Sequence, residues 1–148
     1  MSHRFDFEQA PGHLIRRAHQ ISAAVFAENM HDFGVTPVQF AILNALIGVN
    51  GVDQVTLAGR VAFDAATLGS VIGRLEKKGW VRRQPAAEDR RRKLLWLTAE
   101  GERAVTAMKS QVEAVQQHIL EPLGEEERQQ LLRLLAKLIM NHARRAAT

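Results

Sequence analysis

The spacing of apolar residues changes after Gly79, and this change constrains the fold of the chain more than any other feature. Before Gly79, apolar side chains recur three and four residues apart, as on one face of a helix. After it, Trp80–Gln84 and Leu94–Leu97 have the composition of two strands, and the polar stretch between them contains Pro85. Helical spacing returns at Thr98. The chain is therefore predicted to be mainly α with a small β-hairpin, an α+β arrangement.

Residues that favour helix ends divide the first half of the chain into four predicted helices. The first covers residues 12–30, and a second begins at Thr36, which can cap its first turn. Asp53 and Asp64 can each cap a shorter helix with a side-chain oxygen, and the later one ends before Gly79. Two short helices joined by a tight link predict a helix-turn-helix. The hairpin that follows would be its wing.

The helices outside this unit carry more apolar surface than one small winged domain can cover. The long helix after Thr98 has a seam like that of a coiled coil, formed by Val105, Met108, Val112, Val115 and Ile119. The last helix has an apolar stripe at Leu131, Leu135 and Leu138, with Leu132 and Ile139 beside it. We therefore predict a winged helix-turn-helix over residues 35–98, flanked by dimerisation helices at 1–34 and 99–148, and a homodimer.

Positive charge is concentrated in one short segment. Between Arg74 and Lys93 there are nine basic and three acidic residues, whereas the rest of the chain holds 11 basic and 13 acidic residues. A concentrated basic segment is expected of a protein that binds the phosphate backbone of nucleic acid. The alternative is a solvated surface; the position of the run at a hairpin tip, beside a candidate recognition helix, favours DNA.

Several classes of protein are excluded by what the sequence lacks. There is no cysteine, which removes disulfides and thiolate chemistry. No apolar run approaches the roughly 20 residues that span a bilayer, and the first 13 residues lack the apolar middle of a signal peptide, so a cytoplasmic protein without a membrane partner is expected. Phosphate-loop, Gly-x-Ser-x-Gly and His-Glu-x-x-His motifs are also missing. We predict a protein that is not an enzyme and needs no cofactor.

Three motifs between Leu68 and Gly101 resemble those of the MarR family of transcriptional regulators. They are Arg74–Val81 (RLEKKGWV), Asp89–Arg91 (DRR) and Leu97–Gly101 (LTAEG). The resemblance implies that the helix over residues 64–78 enters the major groove of DNA and that the wing reaches an adjacent minor groove. It also implies a dimer on a roughly palindromic operator, with repression as the expected direction of regulation.

The helix over residues 64–78 fits the major groove, where base edges differ in their donors, acceptors and methyl groups. Thr67 and Ser70 are the polar residues expected to face bases or nearby phosphates. Arg74 could hold a phosphate, or it could pair within the chain with Glu76 or Asp64; the sequence favours neither.

Two glycines in the same helix, Gly69 and Gly73, each cost up to about 1 kcal/mol of helix propensity relative to alanine. Either DNA or a neighbouring helix could impose that steric demand.

The wing carries the second half of the predicted interface. The Asp89–Arg91 motif resembles the family's Asp-x-Arg, which implies that Arg91 enters the minor groove and that Asp89 orients it. Arg90, Arg92 and Lys93 would add phosphate contacts that weaken as salt rises.

A small aromatic acid is the expected effector, because members of the family often respond to such molecules. His13, Arg16 and His19 follow one another at steps of three on the first helix, with Arg17 nearby. An arginine beside imidazoles could hold a carboxylate or phenolate. From the second helix, an aromatic wall and a hydrogen bond could come from Phe40, Leu43 and Asn44. Surface histidines and arginines are also common without any ligand, so the sequence leaves both interpretations open.

Metal sensing is disfavoured by spacing. His13 and His19 lie about 9 Å apart along a helix axis, which makes it hard for them to share one zinc ion. His31, His118 and His142 could converge in the fold, which spacing does not decide. The remaining rival is a dimeric protein-interaction module whose basic wing binds an acidic protein rather than specific DNA.

Overall fold

A computed structural model describes residues 4–147 and contains six α-helices and three short strands within that range. The helices are α1 (Pro11–Met30), α2 (Pro37–Ala45), α3 (Gln54–Val61), α4 (Ala65–Lys77), α5 (Ala99–Ile119) and α6 (Glu125–Ala146). The strands are β1 (Val52–Asp53), β2 (Val81–Pro85) and β3 (Lys93–Leu97). Short 3₁₀ turns occupy Phe7–Gln9 and His31–Phe33. The predicted order of helices and hairpin is confirmed.

Local hydrogen bonds at the helix ends explain why these helices begin where the sequence predicts. The Thr36 side chain accepts from the Gln39 N–H at 3.2 Å, and the Gln39 side chain accepts in return from the Thr36 N–H at 3.1 Å. Asp53 and Asp64 cap α3 and α4, accepting from backbone N–H groups three residues on at 2.8 Å. Gly79 has φ +78°, a left-handed conformation that ends α4 at low steric cost.

The sheet has three antiparallel strands in the order β1-β3-β2. Val81 pairs with Leu97 and Arg83 with Leu95, which fixes the register of the predicted hairpin. Pro85 is the last residue of β2 rather than part of the connecting loop. Strand β1, which the sequence analysis missed, pairs Val52 with Leu95. It ties the start of α3 to the base of the wing.

One hydrophobic core joins the winged unit to the two long helices. It includes Phe26 and Met30 from α1, and Leu68 and Ile72 from α4. Side chains from all three predicted segments meet in this core, so the core does not mark boundaries between them. The division of the chain at residues 34 and 98 therefore stays a prediction.

The predicted seam of α5 is buried inside this chain rather than against a second copy. Val105, Met108 and Val115 are each 1% exposed, and Val112 is 7% exposed. Helix α1 packs along α5, so the partner that the seam requires is α1. The prediction that this seam faces a dimer partner was therefore wrong, because a coiled-coil spacing requires a partner helix but does not say which one.

The apolar surface left uncovered lies on α1 and α6 instead. Leu14, Ile15 and Ile21 on α1 are about half exposed. The exposed apolar residues of α6 are Leu132, Leu134, Leu135, Leu138, Ile139 and Met140. A groove of about 540 Å³ runs between α1, α5 and α6 and is lined by side chains including Ala18, Ile119 and Leu131.

Helices α3 and α4 have the relative orientation of a helix-turn-helix. They meet at 101°, within the range of about 90–120° for that motif. Their link includes Ala62 in a left-handed conformation with φ 57°. Within residues 4–147 no single helix is long and apolar enough to cross a membrane, although α3 and α4 together pass that test as a bent pair.

Candidate nucleic-acid interface

Helix α4 is amphipathic and presents the three predicted polar residues to solvent. Leu68, Ile72 and Leu75 are fully buried on its inner face. Thr67, Ser70 and Arg74 are exposed on the opposite side. Hydrogen bonds from the backbone and side chain of Thr67 hold the pKa of the Asp64 carboxyl below its ordinary value of 3.8. Asp64 therefore stays ionised as the cap of the candidate recognition helix.

The two acidic partners considered for Arg74 are engaged elsewhere. Glu76 forms an ion pair with Arg83 at 2.8 Å, and Asp64 accepts from Thr67. Within residues 4–147, the Arg74 side chain has no hydrogen bond or ion pair. Its guanidinium is consequently available to an external phosphate.

The two glycines of α4 have different surroundings. A Cβ on Gly69 would lie 3.1 Å from Gln54 Nε2, so the end of the Gln54 side chain would have to shift slightly to accommodate it. Among residues 4–147, a Cβ on Gly73 would meet nothing within 4 Å. No contact with these residues therefore requires a glycine at position 73.

At the wing tip, Asp89 organises the turn through the backbone. Its carboxylate accepts from the Arg91 N–H at 3.0 Å, and its carbonyl accepts from the Arg92 N–H at 3.0 Å. The Ala86 N–H closes the loop by donating to the Arg92 carbonyl at 2.9 Å. Asp89 thus shapes the loop that presents Arg91, and its carboxylate contacts the backbone of Arg91 rather than its guanidinium.

The nine basic residues between Arg74 and Lys93 fall into two groups. Four make contacts within the chain: Lys78 with the Gly34 carbonyl and the Trp80 ring, Arg82 with the Trp96 ring, Arg83 with Glu76, and Arg92 with Asp53 and Glu88. The side chains of the other five have no partner in the part of the chain that the structure describes: Arg74, Lys77, Arg90, Arg91 and Lys93. The unpartnered cations lie on α4 and on the wing.

The wing and the start of α4 border the same cleft. Arg91, Arg92 and Lys93 line it on one side, and Ala65, the first residue of α4, lines it on another. The cleft has a volume of about 210 Å³ and also contains Asp53. Arg92 lies 3.7 Å from Asp53, so it joins the wing to the residue that caps α3, in addition to adding charge. Hydrogen bonds from Thr56, first from its backbone N–H and then from its side chain, lower the pKa of the Asp53 carboxyl. Partial desolvation opposes this shift but does not cancel it.

A side-chain network between the wing and the helices was missed by the sequence analysis. Arg83 on β2 contacts Glu76 on α4 and donates to Gln54 on α3, with Nη1 3.3 Å from the Gln54 Oε1. The Gln54 amide in turn donates to the Ala65 carbonyl at 3.4 Å. Strand alternation could have revealed it, because Arg83 shares the buried face of β2 with Val81.

The candidate effector residues are distributed over several parts of the surface. Arg16 lies 3.1 Å from His13 Nδ1, and the Phe7 ring lies 4.8 Å from the His13 ring. Arg17 is exposed, while His19 lines the groove between α1, α5 and α6.

The residues proposed from α2 are not joined to this cluster. Asn44 is exposed and Phe40 packs against the core. Within residues 4–147, no hydrogen bond, ion pair or ring contact connects Phe40 or Asn44 to the His13–Arg16 pair. In the same residues, no three histidine, aspartate or glutamate side chains are arranged to hold a metal ion.

The chain is similar to known transcriptional regulators along most of its length. Residues 33–92 match the MarR family. The transcriptional regulator HosA of Escherichia coli is 32% identical over 127 residues, covering 86% of this chain and 93% of that protein. The transcriptional repressor NicR of Pseudomonas putida is 31% identical over 135 residues, covering 91% and 85%.

A solved structure extends the similarity to the fold. BpsR of Bordetella bronchiseptica, whose DNA binding is regulated by 6-hydroxynicotinic acid, has 32% identity and a TM-score of 0.85, covering 91% of this chain and 96% of that one. Relatives that are more than 30% identical over most of both chains establish that this chain belongs to the same family. The winged helix-turn-helix and its basic, exposed face therefore belong to a MarR-family transcriptional regulator.

Proposed function

We propose that this protein is a ligand-responsive repressor that binds a specific, roughly palindromic operator as a homodimer. The observation that carries the proposal is that cationic side chains without a partner among residues 4–147 lie on both α4 and the wing. The first residue of α4 and the wing border one cleft. Helix α4 would read base edges with Thr67 and Ser70, and Arg74 would hold a phosphate. Arg91 would enter the minor groove, with Arg90 and Lys93 on nearby phosphates.

Not every wing cation contributes in the same way. Arg92 is drawn toward Asp53 and Glu88, so we assign it mainly to holding the wing against α3. Asp89 is assigned to the shape of the loop. Neutralising Arg91 should therefore remove a contact to DNA, whereas neutralising Arg92 should act mainly by loosening the wing.

The homodimer is supported by the apolar faces of α1 and α6, because a monomer would leave this surface in water. Changing Leu135, which is 38% exposed and lines the groove, to glutamate should shift the sedimenting species toward monomer. Gln130→Glu is the matched control, since Gln130 is exposed on the same helix. If both variants sediment as wild type, α6 is not the dimer surface.

The operator follows from two-fold symmetry. One recognition helix per subunit predicts half-sites about one helical turn apart. Occupancy of such a site by the dimer would hinder transcription from an overlapping promoter, and the relative NicR is a repressor. The protein is proposed to act by binding and not as an enzyme.

The effector is proposed to be a small aromatic acid. The relative BpsR supports this class, since 6-hydroxynicotinic acid regulates its DNA binding. In this chain, Arg16 beside His13 and Phe7 offers a guanidinium next to aromatic rings, which suits an aromatic carboxylate. Arg17 and His19 on α1, with Phe40 and Asn44 on α2, stay candidate contacts.

Fluorescence anisotropy with the DNA upstream of the chain's own gene tests the proposal. We expect binding that resists excess unrelated DNA, weakens with salt, and is released by one member of a panel of aromatic acids. Arg16→Ala should lose that release, whereas Arg133→Ala, an exposed arginine on α6, should keep it. Binding no tighter than to unrelated DNA would favour an interaction module that uses the basic wing on an acidic protein.

A further inference from the structure

Arg83 is a wing arginine whose side chain points toward the helices. Its guanidinium reaches Glu76 in the last full turn of α4 at 2.8 Å and the Gln54 amide at the start of α3 at 3.3 Å. The Gln54 amide also contacts the carbonyl of Ala65, at the start of α4. One side chain on β2 therefore contacts α3 and the C-terminal end of α4 directly. Through Gln54 it is also connected to the N-terminal end of α4.

The exposure of this pair argues against a large role in stability. The side chains of Arg83 and Glu76 are 28% and 33% exposed. Ion pairs that are partly solvated contribute little to folding, because water screens them. The geometry nevertheless has few alternatives, since a guanidinium can donate to a carboxylate and an amide oxygen at once in a fixed fork.

The rest of the connection between α4 and the wing is short and turns sharply. Only three residues, Lys78, Gly79 and Trp80, separate α4 from β2, and Gly79 is left-handed. A small rotation about this link would move the wing tip relative to α4. The Arg83 network spans that link and opposes such a rotation.

We propose that Arg83 is a positioning residue that fixes the wing relative to the recognition helix, so that both engage the same stretch of DNA. This inference rests on the proposed function, because it assigns α4 and the wing to adjacent grooves. Arg83 itself contacts no DNA in this account. It acts through Glu76 and Gln54.

Two variants separate positioning from charge. Arg83→Lys keeps the positive charge but loses the fork that bridges both partners. We expect it to weaken operator binding by about tenfold, a size usual for residues of a protein that are coupled through one hydrogen-bond network, and to leave binding to unrelated DNA unchanged. Arg82→Lys is the matched control, since Arg82 is the exposed neighbour on β2.

The reversed pair Glu76→Arg with Arg83→Glu should restore operator binding to within a few-fold of wild type. The Gln54 NH2 group has two N–H bonds, so it can donate to a carboxylate at position 83 while it keeps its bond to the Ala65 carbonyl, and the network can re-form. Failure of the reversed pair, with a salt dependence reduced by about one phosphate contact, would mean that Arg83 touches DNA directly and would overturn the proposal. Unchanged operator binding in Arg83→Lys would overturn it as well.

A measurement without DNA keeps this inference separate from the proposed function. Hydrogen exchange of the backbone amides in residues 81–97 should be faster in Arg83→Lys than in wild type and Arg82→Lys. Equal exchange in all three proteins would show that Arg83 does not hold the wing. Wild-type protein that fails to prefer the operator would refute the proposed function and leave this exchange result to decide the role of Arg83.

Discussion

Asp89 offers a test of how the wing tip works, because its charge and its geometry predict opposite effects on DNA binding. Its carboxylate lies near the DNA in our account, so removing the negative charge alone should strengthen binding. The same carboxylate accepts from the Arg91 N–H at 3.0 Å and holds the loop that presents Arg91. Asp89→Asn removes the charge but retains an oxygen that can accept this bond, whereas Asp89→Ala removes both.

The size of the geometric effect follows from one exposed hydrogen bond. Such a bond contributes about 1 kcal/mol, which corresponds to about a fivefold change in the population of the ordered loop. Asp89→Ala should therefore bind the operator about fivefold more weakly than Asp89→Asn, although both variants have the same charge. Asp89→Asn should bind at least as tightly as wild type.

Anisotropy titrations of the three proteins at one salt concentration measure these differences. Thermal melting serves as the control, because Asp89 is exposed on a loop and neither change should unfold the protein. Equal affinities for the alanine and asparagine variants would refute the loop-shaping role. Weaker binding by both variants to the same extent would instead mean that the carboxylate's charge orients Arg91.

Three further predictions concern charge, packing and pH. Arg91→Ala should weaken operator binding by about 1–3 kcal/mol and lower the salt dependence by about one contact without changing the melting temperature; an unchanged affinity would remove Arg91 from the interface. Gly101→Ala should destabilise the fold by at least about 2 kcal/mol in urea unfolding, because the new Cβ would overlap the Trp80 carbonyl and approach Leu97 to 2.9 Å; Gly59→Ala, where a Cβ meets nothing within 4 Å, is the control and should not destabilise. Folding lowers the pKa of Asp64, so the stability that its carboxylate contributes is complete at pH values above the ordinary pKa of 3.8 and is lost as the pH falls through the lower folded value. The difference in urea midpoint between wild type and Asp64→Asn should therefore shrink on acidification. A constant difference would contradict the lowered pKa.

Features fixed by neighbouring residues were predictable from the sequence. Thr36, Asp53 and Asp64 each cap a helix with a bond to a residue three positions later, so a short window contains both donor and acceptor. The hairpin is similarly local. The sequence therefore predicted the helix-turn-helix and the wing together with the exposed face of α4.

Features that depend on distant partners were not predictable in the same way. Strand β1 has two residues and exists only because β3 pairs with it. The seam of α5 required a helix, but the spacing could not distinguish α1 from a second copy. Arg83 was counted as one more basic residue, because its partners Glu76 and Gln54 approach it only in the fold.

Footprinting on the DNA upstream of the gene shows whether α4 and the wing bind adjacent grooves of one operator. Methylation and hydroxyl-radical footprints should show two protected half-sites about one helical turn apart, each with major-groove contacts flanked by a protected minor groove. Arg91→Ala should lose the minor-groove protection and keep the major-groove contacts. Uniform protection without half-sites, or loss of both signals together in Arg91→Ala, would mean that α4 and the wing do not bind adjacent grooves in this way.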